Sequence, residues 1–148
     1  MTDYWPHQEG VIADGFSIAF AEAYALIEAF ETVHMHTTAS TDSIYVAPAA
    51  AAGDGYAVAL KAAAVQGDII PVMYLGIVKM SAATTMNEDD YVSNAAGGTQ
   101  VQVIATMTAG EMVAYRSFNY TGSAFRLGKT LNGAVTDDDI LVLVGLTG

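Results

Sequence analysis

The residues in this chain best suited to metal or acid–base chemistry are His34-Met35-His36, the only close pair of histidines. On a strand, alternate side chains share a face. The two imidazoles would then point the same way and could share a metal ion, with His7, Asp42 or a distant carboxylate as further ligands. A working site needs three or four ligands with support behind them, and no third ligand is fixed by spacing. The alternative is a surface His-x-His ahead of a Thr-rich loop. Glu88-Asp89-Asp90 and Asp137-Asp138-Asp139 offer clustered carboxylates, which suit calcium. Neither carries the spaced Asp-x-Asp-x-Asp-Gly loop with a distal Glu, so both read as solvated turns. Nucleophilic catalysis is poorly served. There is no cysteine, all three histidines lie in the N-terminal quarter, and no Gly-x-Ser-x-Gly elbow occurs. Gly128-Lys129-Thr130 ends like a phosphate loop, but Ser123 stands where that motif needs its first glycine. The expectation is a chain with no catalytic residues, no bound metal and no cofactor, hence not an enzyme.

Composition limits the partners. Five cations (Lys61, Lys79, Arg116, Arg126 and Lys129) face 16 Asp and Glu, for a formal net charge of −11. Nucleic-acid binding rests on clustered Lys and Arg that release counterions, and anionic membranes ask for the same clusters. Neither partner is expected. A chain of 148 residues at 53% hydrophobic can fill a core, so one folded domain is expected rather than disorder. The N-terminus lacks the basic start and apolar run of a signal peptide, and no run of about 20 apolar residues is free of charge. Synthesis in the cytoplasm follows as an expectation.

The elements that would position these residues are mostly strands. Short β-branched runs predict strands at 43–47, 56–62, 69–80, 91–93, 99–106, 112–118, 125–130 and 140–146. Turn signals separate them: Gly53-Asp54-Gly55, Gly67-Asp68, Gly97-Gly98, Ala109-Gly110, Thr121-Gly122 and Asn132-Gly133. Many short strands at this spacing predict a small barrel- or sandwich-like β domain. Gly67-Asp68-Ile69-Ile70 and Asp137-Asp138-Asp139-Ile140 echo one another as acidic turn, apolar strand and glycine. With two copies, the echo fits paired strands of one barrel better than an internal duplication.

Residues 16–33 are the exception. They lack Gly and Pro, and Phe16, Phe20, Ala23, Tyr24, Ile27 and Phe30 recur at helical spacing. The same stretch also alternates large residues with alanines, as a strand does. Alanine is the best helix former and a poor strand former, so a helix is predicted. The layout becomes an N-terminal arm and helix over 1–36 and a β-rich domain over 37–148. Tyr4, Trp5 and Pro6 are large residues in a polar arm too short to bury them. Together with Phe16 and Phe20 they are the expected partner contacts, the alternative being an arm folded back on its own core.

Two stretches resemble a known family. Gly55-Tyr56-Ala57-Val58-Ala59-Leu60, followed by Gly67-Asp68-Ile69-Ile70-Pro71-Val72 through Gly76-Ile77-Val78, is similar to the capsid decoration (cement) proteins of tailed viruses. Phe125-Arg126-Leu127-Gly128-Lys129-Thr130-Leu131 and Asp139-Ile140-Leu141-Val142-Leu143-Val144 resemble that family's last two strands. The resemblance spans about residues 40 to 148, whereas Phe16–Val33 departs from the family's N-terminal pattern. It implies a small β-barrel of the β-tulip type and a non-enzymatic virion protein. Its partner would be the major capsid protein, on the capsid exterior, with trimers at local three-fold positions stabilising contacts between capsid subunits. A tail-tube, head-completion or filament subunit would share the same glycine-punctuated β texture.

Overall fold

The computed structural model describes residues 17–36, 44–104 and 127–145, and within them every regular element is a strand. In chain order these are β1 (Ser17–Ala23), β2 (Thr32–Met35), β3 (Tyr45–Pro48), β4 (Ala57–Ala59), β5 (Ile69–Ala82), β6 (Tyr91–Asn94), β7 (Gln100–Val103), β8 (Gly128–Thr130) and β9 (Asp139–Val144). Among the described residues no helix is long and apolar enough to cross a membrane. The fold is mainly β and barrel-like, as the sequence predicts.

The pairings close two rings. β1 lies parallel to β3, β3 antiparallel to β2, β2 to β4, β4 to β5, and β5 returns to β1. The second ring repeats this with β5, β7, β6, β8 and β9, again with one parallel pair between its first and third strands. The long β5 therefore closes the first ring with its N-terminal half and opens the second with its C-terminal half. Leu75 still pairs with Ser17 of β1, whereas Gly76 pairs with Val144 of β9. At this changeover Gly76 has φ 150, a conformation that glycine adopts without a side-chain clash.

The equivalence runs residue by residue. Ile27 bridges Ala63 in ring 1 as Met86 bridges Ala134 in ring 2. Phe30 and Asp89 both take positive φ, as do Gly67 and Asp137. Their backbone bonds match as well: Phe30 N donates to Ala59 O, and Asp89 N to Thr130 O. β5 and β9 are paired strands, as expected, but the acidic-turn echo also marks a repeated ring, which corrects the preference for pairing over internal repetition. Gly67 to Leu75 and Asp137 to Gly145 hold the same place in successive rings.

Each ring encloses its own apolar interior. Ring 1 is lined by Ala21, Ala23, Ile27, Val33, Val46, Ala57, Ala59, Ala63, Ile70 and Val72. At the matching positions of ring 2 stand Met80, Ala82, Met86, Val92, Val101, Gly128, Thr130, Ala134, Ile140 and Val142, all buried except the half-buried Ala134. Val58, Leu60 and Met73 face out of ring 1 and join the ring 2 core, with Phe30 packed beside them. The two rings therefore meet through a continuous apolar contact.

The helix predicted over 16–33 is corrected: its described part forms β1, a bridged turn and β2. Ala21 and Ala23 point into ring 1, whose interior is also packed by Tyr56 and Tyr74. Tertiary packing overrides the helix preference of alanine. β1 and β2 belong to the same ring as β3, β4 and β5, so the described part of 1–36 is woven into the β domain. The strand predicted over 112–118 lies outside the described residues.

Candidate partner-binding surface

The residues nominated for chemistry are occupied with structural work. His36 stacks on Tyr24, with ring centroids 3.5 Å apart and planes 15° from parallel, and Tyr24 meets Tyr45 edge-on. His34 sits half-buried on β2. Among the described residues no group of three or more His, Asp or Glu is arranged to hold a metal; His7 and Asp42 lie outside them. The acidic turns close strands. Asp90 Oδ2 accepts from Asn87 N at 2.8 Å, as Glu31 Oε2 accepts from Glu28 N at 2.7 Å in the matching turn of ring 1. Burial holds the Glu31 carboxyl above its usual range. Asp89 pairs with Lys129 at 2.7 Å, Lys129 also lying 4.7 Å from the centre of the Tyr91 ring. This hydrogen bond to Asp89 raises the Lys129 ammonium above its ordinary value.

A shallow cleft of about 330 Å³ runs between the rings, lined by Ala29, Phe30, Lys79, Met80, Ser81, Thr99 and Asp139. Across it Lys79 Nζ meets Asp139 Oδ2 at 3.3 Å, with both side chains well exposed. Ser81, also in the lining, accepts a 3.1 Å hydrogen bond at Oγ from Gln100 Nε2.

The surface itself is more informative. Phe20 is 71% exposed and Ile69 60%, with Ile18 beside them at 41%. Strand alternation explains this: Ala21, Ala23, Ile70 and Val72 point inward, so Ile18, Phe20 and Ile69 must point out. Phe20 pairs with Pro71 and Glu22 with Ile69, which places the two large side chains diagonally across one antiparallel pair. Further exposed apolar side chains, Leu26 and Val65, flank the Ile27–Ala63 bridge. Of the sequence-nominated contacts, Phe20 is therefore an exposed residue of β1, within ring 1. Tyr4, Trp5, Pro6 and Phe16 lie outside the described residues. Ile69 was missed because the run Ile69-Ile70-Pro71-Val72 is apolar on both faces, and only the register separates inside from outside.

Comparison with known proteins adds one point. No protein-family model matches the chain, and no curated protein matches it. Among solved structures, the N base of the head fiber protein gp8.5 in bacteriophage phi29 shares the fold, with a TM-score of 0.55 at 16% sequence identity over 88% of this chain and 94% of that one. The two chains share a β architecture along most of their length.

Proposed function

We propose that the chain is a non-enzymatic virion structural protein that binds the outer surface of an icosahedral capsid and stabilises contacts between major capsid subunits. The observation that carries this is the fold shared along nearly the whole chain with a protein of a phage head. An outward-facing apolar pair on an otherwise acidic domain supports it, because such side chains gain by being covered. The protein would be made in the host cytoplasm and act on the capsid exterior. There a trimer would multiply each weak contact by symmetry. The residues ahead of β1, with Tyr4, Trp5, Pro6 and Phe16, would reach between neighbouring capsid subunits.

Deleting residues 1–15 tests the arm. The truncated protein should keep its melting temperature and lose co-sedimentation with heads of the virus that encodes it. Normal occupancy by the truncated protein would remove the arm from the reading.

A further inference from the structure

The duplicated ring provides an internal control for the exposed apolar pair. Glu22 pairs with Ile69 and Phe20 with Pro71 in ring 1; Ser81 pairs with Asp139 and Lys79 with Leu141 in ring 2. Phe20 thus matches Lys79, and Ile69 matches Asp139. At these positions ring 2 carries a solvated ion pair, 3.3 Å from N to O, whereas ring 1 carries two large apolar side chains. The fold accommodates a lysine and an aspartate there, so closing the ring does not require the apolar pair.

The charges around ring 1 identify what could cover it. Among the described residues of ring 1, Glu22, Glu28, Glu31, Asp54 and Asp68 stand against Lys61. Two of the acids flank the pair itself: Asp68 precedes Ile69 in the chain, and Glu22 lies opposite Ile69. A two-fold contact with a second copy would bring these carboxylates together in chains of net charge −11, which opposes self-association. An apolar surface rimmed by Lys and Arg would meet both the side chains and the rim. We infer that Ile18, Phe20 and Ile69 form the docking ridge of ring 1 for a different protein, one presenting an apolar depression with a basic rim. The inference rests on the capsid-binding reading and names the face of the domain that makes the contact.

The test moves ring 2's ion pair onto ring 1 as the double variant F20K/I69D. Phe20→Thr is the milder companion, placing a strand-favouring β-branched residue there. Binding is read by co-sedimentation with heads of the encoding virus, folding by thermal melting, and self-association by sedimentation of the protein alone. Both variants should melt like the parent and bind heads at least about tenfold more weakly, as when a central aromatic anchor is lost. The parent should also bind more weakly at about 500 mM salt than at about 50 mM, because a charged rim is screened. Unchanged head binding by a folded F20K/I69D or Phe20→Thr overturns the docking ridge and leaves the capsid reading intact. A parent oligomer that both variants dissociate, with head binding retained, overturns it in favour of a second copy. Failure of the parent itself to bind heads overturns the capsid reading, and the docking ridge with it.

Discussion

Asn94, fully buried on β6 of ring 2, accepts a 2.8 Å hydrogen bond at Oδ1 from the Gly55 backbone N–H of ring 1. Its Nδ2 donates to the carbonyls of Ala49, Ala51 and Ala95 at 2.8–3.0 Å. One side chain therefore fastens the loop between β3 and β4 to the second ring. The backbone adds to this clasp, with Gly53 N donating to Asn94 O and Gly97 N to Ala50 O. Gly55 lets the loop lie close against β2 of its own ring, since a Cβ there would lie 2.8 Å from Cβ of Thr32. Replacing Asn94 with Leu would strand the Gly55 N–H and the Ala49 carbonyl, whereas Ala51 O and Ala95 O keep bonds from Asp54 N and Gly98 N. A loss of about 3 kcal/mol is expected from partners left unsatisfied. For a chain of this size that corresponds to a melting temperature lower by roughly 10 °C, checked by calorimetry.

Gly145 and Gly97 separate two reasons for being glycine. Both have φ near +90, which costs an ordinary residue about 1–2 kcal/mol. At Gly97 an added Cβ would meet open space, whereas at Gly145 it would collide with the Tyr74 carbonyl oxygen. Gly97→Ala should therefore cost only the conformational penalty. Gly145→Ala must in addition push the end of β9 away from β5, and should unfold at a markedly lower denaturant concentration. Equal midpoints for the two variants in urea would show that the close approach carries no energetic weight.

Much of the strand layout was written in the sequence. The runs beginning at Ile69, Tyr91 and Asp139, and the Gly67-Asp68 turn, fall where β-branched residues and turn formers place them. Two features were hidden for physical reasons. β1 turns Ala21 and Ala23 into the ring 1 core, and alanine on its own reports a preference for helix. The duplication was masked because equivalent positions hold different residues: Phe20 and Lys79, Ile69 and Asp139, Ala57 and Gly128. What the two rings share is backbone register and turn conformation, which side-chain identity encodes only loosely. The docking ridge was half legible. Phe20 stood out by type, but its direction depended on a pairing with β5 that no local pattern reveals.

The interiors give a reciprocal pair of core variants. Ala21 of ring 1 and Met80 of ring 2 occupy matching inward positions on β1 and β5. Tyr56 and Tyr74 pack against the ring 1 interior, where ring 2 has Leu127 and Val144. The rings are thus filled by different combinations over the same frame. Ala21→Met should overpack ring 1 and cost about 1–3 kcal/mol. Met80→Ala should leave a cavity in ring 2 and cost about 2–5 kcal/mol. Urea unfolding of each variant against the parent is the measurement, and a gain in stability from Ala21→Met would show that ring 1 holds unused space.

Glu31 gives the pH dependence its sign. Glu31 is 7% exposed, and loss of hydration is the main cause that raises its pKa above 4.5, with the nearby Glu28 carboxylate adding to it. The hydrogen bond from Glu28 N acts in the opposite direction. A carboxyl whose folded pKa lies above its unfolded one binds its proton more tightly in the folded state. Its contribution to stability is therefore fully present below the unfolded pKa, near 4.5, and is lost as pH rises through the folded value. Glu31→Gln keeps an acceptor for Glu28 N and removes the ionisation. At pH about 7 the variant should melt at or above the parent, and the difference should close as pH falls below the usual glutamate range. A parent that melts well above Glu31→Gln at neutral pH, with the gap narrowing in acid, would mean that the hydrogen bond to the charged carboxylate outweighs its desolvation.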